Sequence, residues 1–209
     1  MHMNKMKLAR LTAAAFAVWL TGCSEQPSAA PPKAAEEKPE PVTGRTALFR
    51  MYQAARVWAP DCQVLKLDSL HISEVPDAPG KAAVWEGVFV SSTRAGAISY
   101  TWSAVDSLEN NLHKGVFQTS EQPYSTQGSS KPFLIAAAKI DTDDVLKTAK
   151  TKAVAYEKKN PGQPITFLLE WTDRFPDPAW RVVWGESVGT SGFSVFVDAE
   201  TGKYLSTMH

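Results

Sequence analysis

Cysteine is scarce: Cys23 and Cys62 are the only two in 209 residues, so any intramolecular disulfide would need both. Histidine is scarce too, with four, and His2 and His209 lie at the ends. His-Glu-x-x-His, Cys-x-x-Cys, Gly-x-Ser-x-Gly and a phosphate-binding glycine loop are all missing. Zinc peptidases, dithiol redox proteins, serine hydrolases and P-loop enzymes thereby lose their usual signatures. Charge of either sign is not in excess, with 22 Lys and Arg against 22 Asp and Glu. No basic block stands out, so nucleic acid is not an expected partner. The apolar run Leu11–Leu20 falls short of the roughly 20 residues that span a bilayer core.

What is present begins at the N-terminus. Lys5, Lys7 and Arg10 precede the run "LTAAAFAVWL", the layout of a secretory signal peptide over residues 1–22. The run ends in Leu20-Thr21-Gly22-Cys23, which resembles the lipobox of bacterial lipoproteins. The resemblance implies that Cys23 receives a diacylglyceryl group and becomes the first residue after cleavage. Two or more acyl chains hold a protein stably at a membrane, where one holds it marginally. Ser24 stands where an aspartate would imply inner-membrane retention, so the resemblance points to the outer membrane if the envelope is Gram-negative. Residues 23–42 then read as the lipidated cysteine and a Pro/Ala/Glu tether without a core. Cleavage removes three basic residues and no acid, leaving 19 basic against 22 acidic residues.

The remainder has the length of one ordinary domain or two small ones, and holds six of the seven tryptophans. Apolar spacing predicts a helix over Arg45–Trp58, capped by Thr43 or Thr46, with Leu48, Tyr52 and Ala55 on one face. A second helix is expected over Thr142–Lys159, capped by Asp141, burying Val145, Ala149, Ala153 and Tyr156. Each is followed by runs rich in Val, Ile, Phe, Tyr and Trp separated by turn residues. "APDCQVLKL" aligns with "NPGQPITFL" without gaps, and "AVWEG" falls where "VVWGE" does. The expected class is α+β: two tandem units, 43–122 and 133–209, each one helix on its own three- or four-stranded antiparallel sheet.

The stretch "AWRVVWGESVGTSGFSVFVDAETGKYLS" resembles a PepSY domain, through the hairpin Val197-Asp198-Ala199-Glu200-Thr201-Gly202. In that hairpin Asp198 can bond its own turn and Gly202 can take φ > 0. The resemblance implies a non-catalytic extracytoplasmic module, related in some proteins to peptidase inhibition, with a PepSY- or cystatin-like unit at the C-terminus.

Few residues offer chemistry. With Cys23 lipidated, Cys62 is left without an intramolecular partner, and the adjacent Asp61 disfavours a thiolate. His71 is the one base that could be paired with it; read on its own, it is a strand-edge histidine. His113 lies in no ligand-like cluster. The carboxylates of "DTDD", Asp141–Asp144, are explained by helix capping, so no metal and no cofactor are expected. Trp180 and Trp184 share one strand face at period two, either as a platform for binding or as core beneath the second helix. The expectation is a lipid-anchored, non-catalytic envelope protein that binds a protein or peptide, through a sheet face or by strand addition. The competing expectations are a small-ligand carrier with a pocket between helix and sheet, and a thiol enzyme using Cys62.

Overall fold

A computed structural model describes residues 38–126 and 128–209. Residues 1–22, Cys23 and most of the tether lie outside the described residues. The chain runs β1 (Val42–Thr43), α1 (Gly44–Trp58), β2 (Gln63–Leu70), β3 (Lys81–Ala82), β4 (Val84–Ser91), β5 (Gly96–Ser103) and β6 (Gly115–Pro123). A 3-10 turn at Ile135–Ala137 leads into α2 (Thr142–Lys159), then β7 (Ile165–Glu170), β8 (Ala179–Trp184), β9 (Ser194–Asp198) and β10 (Tyr204–Met208). Both helices start and stop within a residue of where the apolar spacing and caps put them.

The two tandem helix-on-sheet units do not form. One eight-stranded antiparallel sheet, in the order β10-β9-β8-β7-β2-β4-β5-β6, takes in every long strand, and β1 and β3 make a separate two-stranded ribbon. The fold is thus mostly β. The join is between β2 and β7, with Lys66 opposite Glu170, Leu67 opposite Leu169 and Asp68 opposite Leu168. As separate units, β2 and β7 would each leave a row of backbone donors and acceptors unpaired; pairing them satisfies the central part of both, and Phe133 bonds Val64 beyond it.

α1 and α2 lie on the same face of this sheet. α1 buries Leu48 and Ala55 as expected together with Ala47 and Met51, while Tyr52 is only half-buried and flanks the stripe at 6.2 Å from the Phe89 ring. α2 buries Val145, Ala149 and Ala153 as expected and Leu146 besides, while Tyr156 is half-buried and stacks at 4.5 Å on Phe193. The helices meet at their N-termini. Gly44 opens α1 where an added Cβ would lie 2.7 Å from the Trp180 ring, 2.8 Å from the Thr142 methyl and 2.9 Å from the Trp85 ring. Only glycine lets the helix start this close to both tryptophans.

Each half repeats one device. The Trp85 indole N–H donates to the Val42 carbonyl and that of Trp180 to the Ile140 carbonyl, both at 3.1 Å. Val42 and Ile140 each directly precede the N-cap of the helix above, Thr43 or Asp141. The counterpart of Trp85 is therefore Trp180, not Trp184 as aligning "AVWEG" with "VVWGE" implied. A buried indole needs such a partner, and here it also fixes where each helix begins.

Candidate functional site

Asp141 caps two helices. Its Oδ1 accepts from the Thr142 amide at 2.8 Å and from the Arg45 amide of α1 at 2.9 Å, while its Oδ2 accepts from the Thr43 hydroxyl at 2.7 Å. Thr43, expected to cap α1, makes no side-chain cap bond, and its role passes to Asp141. Asp143 bonds the Asp144 amide and Asp144 pairs with Lys147. The "DTDD" carboxylates point to three different tasks rather than converging.

Trp180 and Trp184 do share a strand face, and that face is the core. Both are essentially inaccessible, and the Trp184 indole donates to Glu157 of α2 at 3.0 Å. They offer no binding platform, because α2 covers them.

Cys62 is buried and far from service as a nucleophile. Burial pushes its thiol up, the nearby Asp61 adds to this, and Arg56 opposes it. Bonds from the Ser91 hydroxyl and from Thr93 hold Asp61 down at about 2, so it stays ionised beside the thiol. His71 does not reach Cys62. Its Nδ1 lies 2.5 Å from Asp77 Oδ2 and its Nε2 2.8 Å from Thr166 Oγ1. The Thr166 hydroxyl spends its one proton on the Gly185 carbonyl at 2.7 Å, so toward His71 it can only accept. Asp77 as a carboxylate also accepts. Both ring nitrogens thus face acceptors, which favours the protonated ring. The bond to Asp77 raises its pKa; burial opposes that, and the charges of Asp77 and Glu186 add to it. The array has the members of a hydroxyl–imidazole–carboxylate triad, but the Thr166 hydroxyl is directed at the Gly185 carbonyl rather than at His71. The sequence carried one signal of it: "SEVPDAPG", a turn-rich loop after β2 able to bring an acid back to His71.

The Asp198 hairpin is built as its residues imply. Asp198 Oδ1 accepts from the Glu200 and Thr201 amides and the Thr201 hydroxyl, and Gly202 has φ +71°.

Two surfaces offer the most room for a partner or ligand. The helix-free face of the sheet is mixed: Val84, Leu168, Val183 and Phe196 point that way and are buried, whereas Lys66, Glu86 and Val88 there are half-buried and Leu70 is exposed. The loop after β7 contributes to that burial, with the Phe175 ring 5.3 Å from that of Phe196 and Arg174 over the same ring at 4.5 Å. The first open surface is β6, the edge strand beside β5, with side chains exposed from Gln118 to Pro123 and Phe117 47% exposed. No strand pairs with its outer side among the described residues. At its start a cleft of about 560 Å³ lies between Arg50, Trp102, Lys114 and the segment Lys38–Glu40, with Arg50 over the Trp102 ring at 5.3 Å. The second is a cavity of about 420 Å³ between the β2–β3 loop, α2 and the start of β7, with His71 in its wall.

A scan against protein-family models gives no match, PepSY included, and a search of curated proteins gives none. Among solved structures, that of a candidate lipoprotein from Clostridium difficile 630 matches with a TM-score of 0.45 and 7% identity, over 77% of this chain and 91% of that one. A likeness at that level carries no argument for this chain.

Proposed function

We propose that this is a lipid-anchored cell-envelope protein that binds an extended peptide segment of an envelope partner by strand addition at β6, without catalysis. One observation carries the reading: β6 is a long, exposed edge strand paired on one side only. A row of free backbone donors and acceptors is a template for another strand, and natural proteins usually shorten, charge or cover such an edge. β6 holds one charged residue, Glu121, within its nine. Main-chain bonds would supply the affinity and the cleft beside Trp102 a side-chain preference. The anchor is Cys23, by the lipobox reading, and the tether gives the domain reach from the membrane. The core beneath both helices is filled, and of the two free edges of the sheet β6 is the longer and the more exposed, nine residues against the five of β10.

The test is a photo-crosslinking residue at Phe117 in the anchored protein within native membranes, with Val154 on the exposed face of α2 as control. Adducts are expected from position 117 and not from 154. Hydrogen exchange then asks how the adduct is bound: the outward amides of β6, fast in the free protein, should slow. Equal adducts from both positions, or β6 amides that stay fast in the adduct, would refute strand addition.

A further inference from the structure

The geometry points to a second, separate site: we infer that the cavity beside His71 binds a small carboxylate with an apolar body. It stands on residues apart from β6. The floor is apolar, made by Ile72, Leu146, Ile165 and Phe167, which come from the loop after β2, from α2 and from β7. Three elements of the scaffold thus fix its shape. Its volume of about 420 Å³ falls within the range of small-ligand pockets. The polar groups in the lining decide the charge. His71 pairs with Asp77, and the Glu186 carboxylate also acts on His71, so this wall supplies no excess positive charge. Lys81 and Lys150 also line the cavity, and neither has an ion-pair partner among the described residues. The two lysines at the exposed margin of an apolar cavity favour an anion whose remainder is hydrophobic; a bare anion gains nothing from the apolar lining, and a cation gains nothing from the lysines. The His71–Asp77 bond holds the loop wall in place, since Asp77 also accepts from the Ala83 amide at 3.2 Å.

Two sources share this chemistry: a fatty acid, and an apolar amino acid or peptide C-terminus. Titration of the protein with octanoate and with N-acetylphenylalanine separates them, the tighter binder naming the source. Acetate, octanol and octylamine serve as controls. Saturable one-to-one binding of at least one of the two carboxylates is expected, with methyl shifts at Ile72, Leu146 and Ile165 in NMR spectra. Acetate and octanol should bind at least tenfold more weakly and octylamine not at all. The double variant Lys81→Gln, Lys150→Gln, exposed at both positions, should lose at least tenfold in affinity with an unchanged thermal midpoint. Failure of both carboxylates to saturate, equal binding of octanol or octylamine, or undiminished binding by the double variant would each overturn the inference.

Discussion

Replacing Asp141 with alanine tests the most consequential contact across the molecule. One carboxylate takes three hydrogen bonds, from Thr142, Arg45 and Thr43, and so serves the first turns of two helices whose sequences lie almost a hundred residues apart. Loss of an ordinary N-cap costs about 1 kcal/mol, up to about 2. A shared cap that is charged and sits at two positive helix ends should cost roughly 2–4 kcal/mol. In a domain of this size that lowers the thermal midpoint on the order of 10 °C, at roughly 2–4 °C per kcal/mol. Asp144 is the control, since its pairing with Lys147 is exposed and such pairs contribute about 0–1 kcal/mol. Asp141→Asn keeps an acceptor for the two amides and should lose less than half as much as Asp141→Ala. Urea unfolding followed by tryptophan fluorescence reads both helices at once, because Trp85 and Trp180 each hang from the residue before a helix start. If Asp141→Ala shifts the midpoint no more than Asp144→Ala does, the shared cap holds nothing together and the reasoning fails.

Three further outcomes are expected. Gly44→Ala should cost about 1–3 kcal/mol, because two buried rings and a methyl must move to admit the new carbon; a stabilised variant, as helix propensity alone would give, refutes the packing argument. The pH dependence of stability should carry the mark of His71, which faces Asp77 and Glu186 with Lys81 and Lys150 along the same cavity. Its pKa is raised on folding, so its contribution is full below the unfolded value of about 6.5 and is lost as pH rises through the higher folded value. The urea midpoint of the wild type should therefore fall across that window relative to His71→Gln, and parallel profiles would contradict it. Cys23→Ser should abolish incorporation of a fatty-acid analogue and release the protein from the membrane fraction; label retained by the variant would remove the lipid anchor from the account.

Local structure was legible because its determinants are local. Asp141 before an apolar stripe, and Asn160-Pro161-Gly162 after it, mark both ends of α2 within a few residues of chain. Alternation in "KLDSL" tells which residues of β2 share a face, and fails upstream only where a bulge between Val64 and Lys66 puts Val64 on the same side as Leu67. It says nothing of which strand lies beside β2, since edge partners are chosen by backbone groups that every residue carries. That is why one continuous sheet could not be told from two. The same limit hid the site. Lys150 sits on an ordinary amphipathic helix, and only the turn at Gly80, where the Thr142 hydroxyl bonds the Gly80 carbonyl at 2.5 Å, brings it beside Lys81 and His71. The period-two pairing of Trp180 and Trp184 was correct as geometry and silent as to which face the helix would cover.

The join between the halves explains why the helix layer matters so much. The β2–β7 ladder covers only Lys66–Asp68 against Leu168–Glu170, whereas β7 and β8 pair along the whole of Ile165–Glu170. A short ladder alone would let the sheet open at its centre. The helix starts close that gap from above: Thr142 accepts from the Gly44 amide at 2.9 Å, Asp141 from Arg45 and Thr43, and Gly44 lies against tryptophans from both halves. Beneath them the Trp85 and Phe167 rings, one from each half, lie 6.2 Å apart. Opening the ladder would therefore also break these bonds and part these rings, so the halves should unfold in one transition even though each repeats the same order of elements. The outer edge at β6 is under no such constraint. Its exposed residues are tied to the core mainly through β5, which leaves the edge free to accept another strand while the join stays shut.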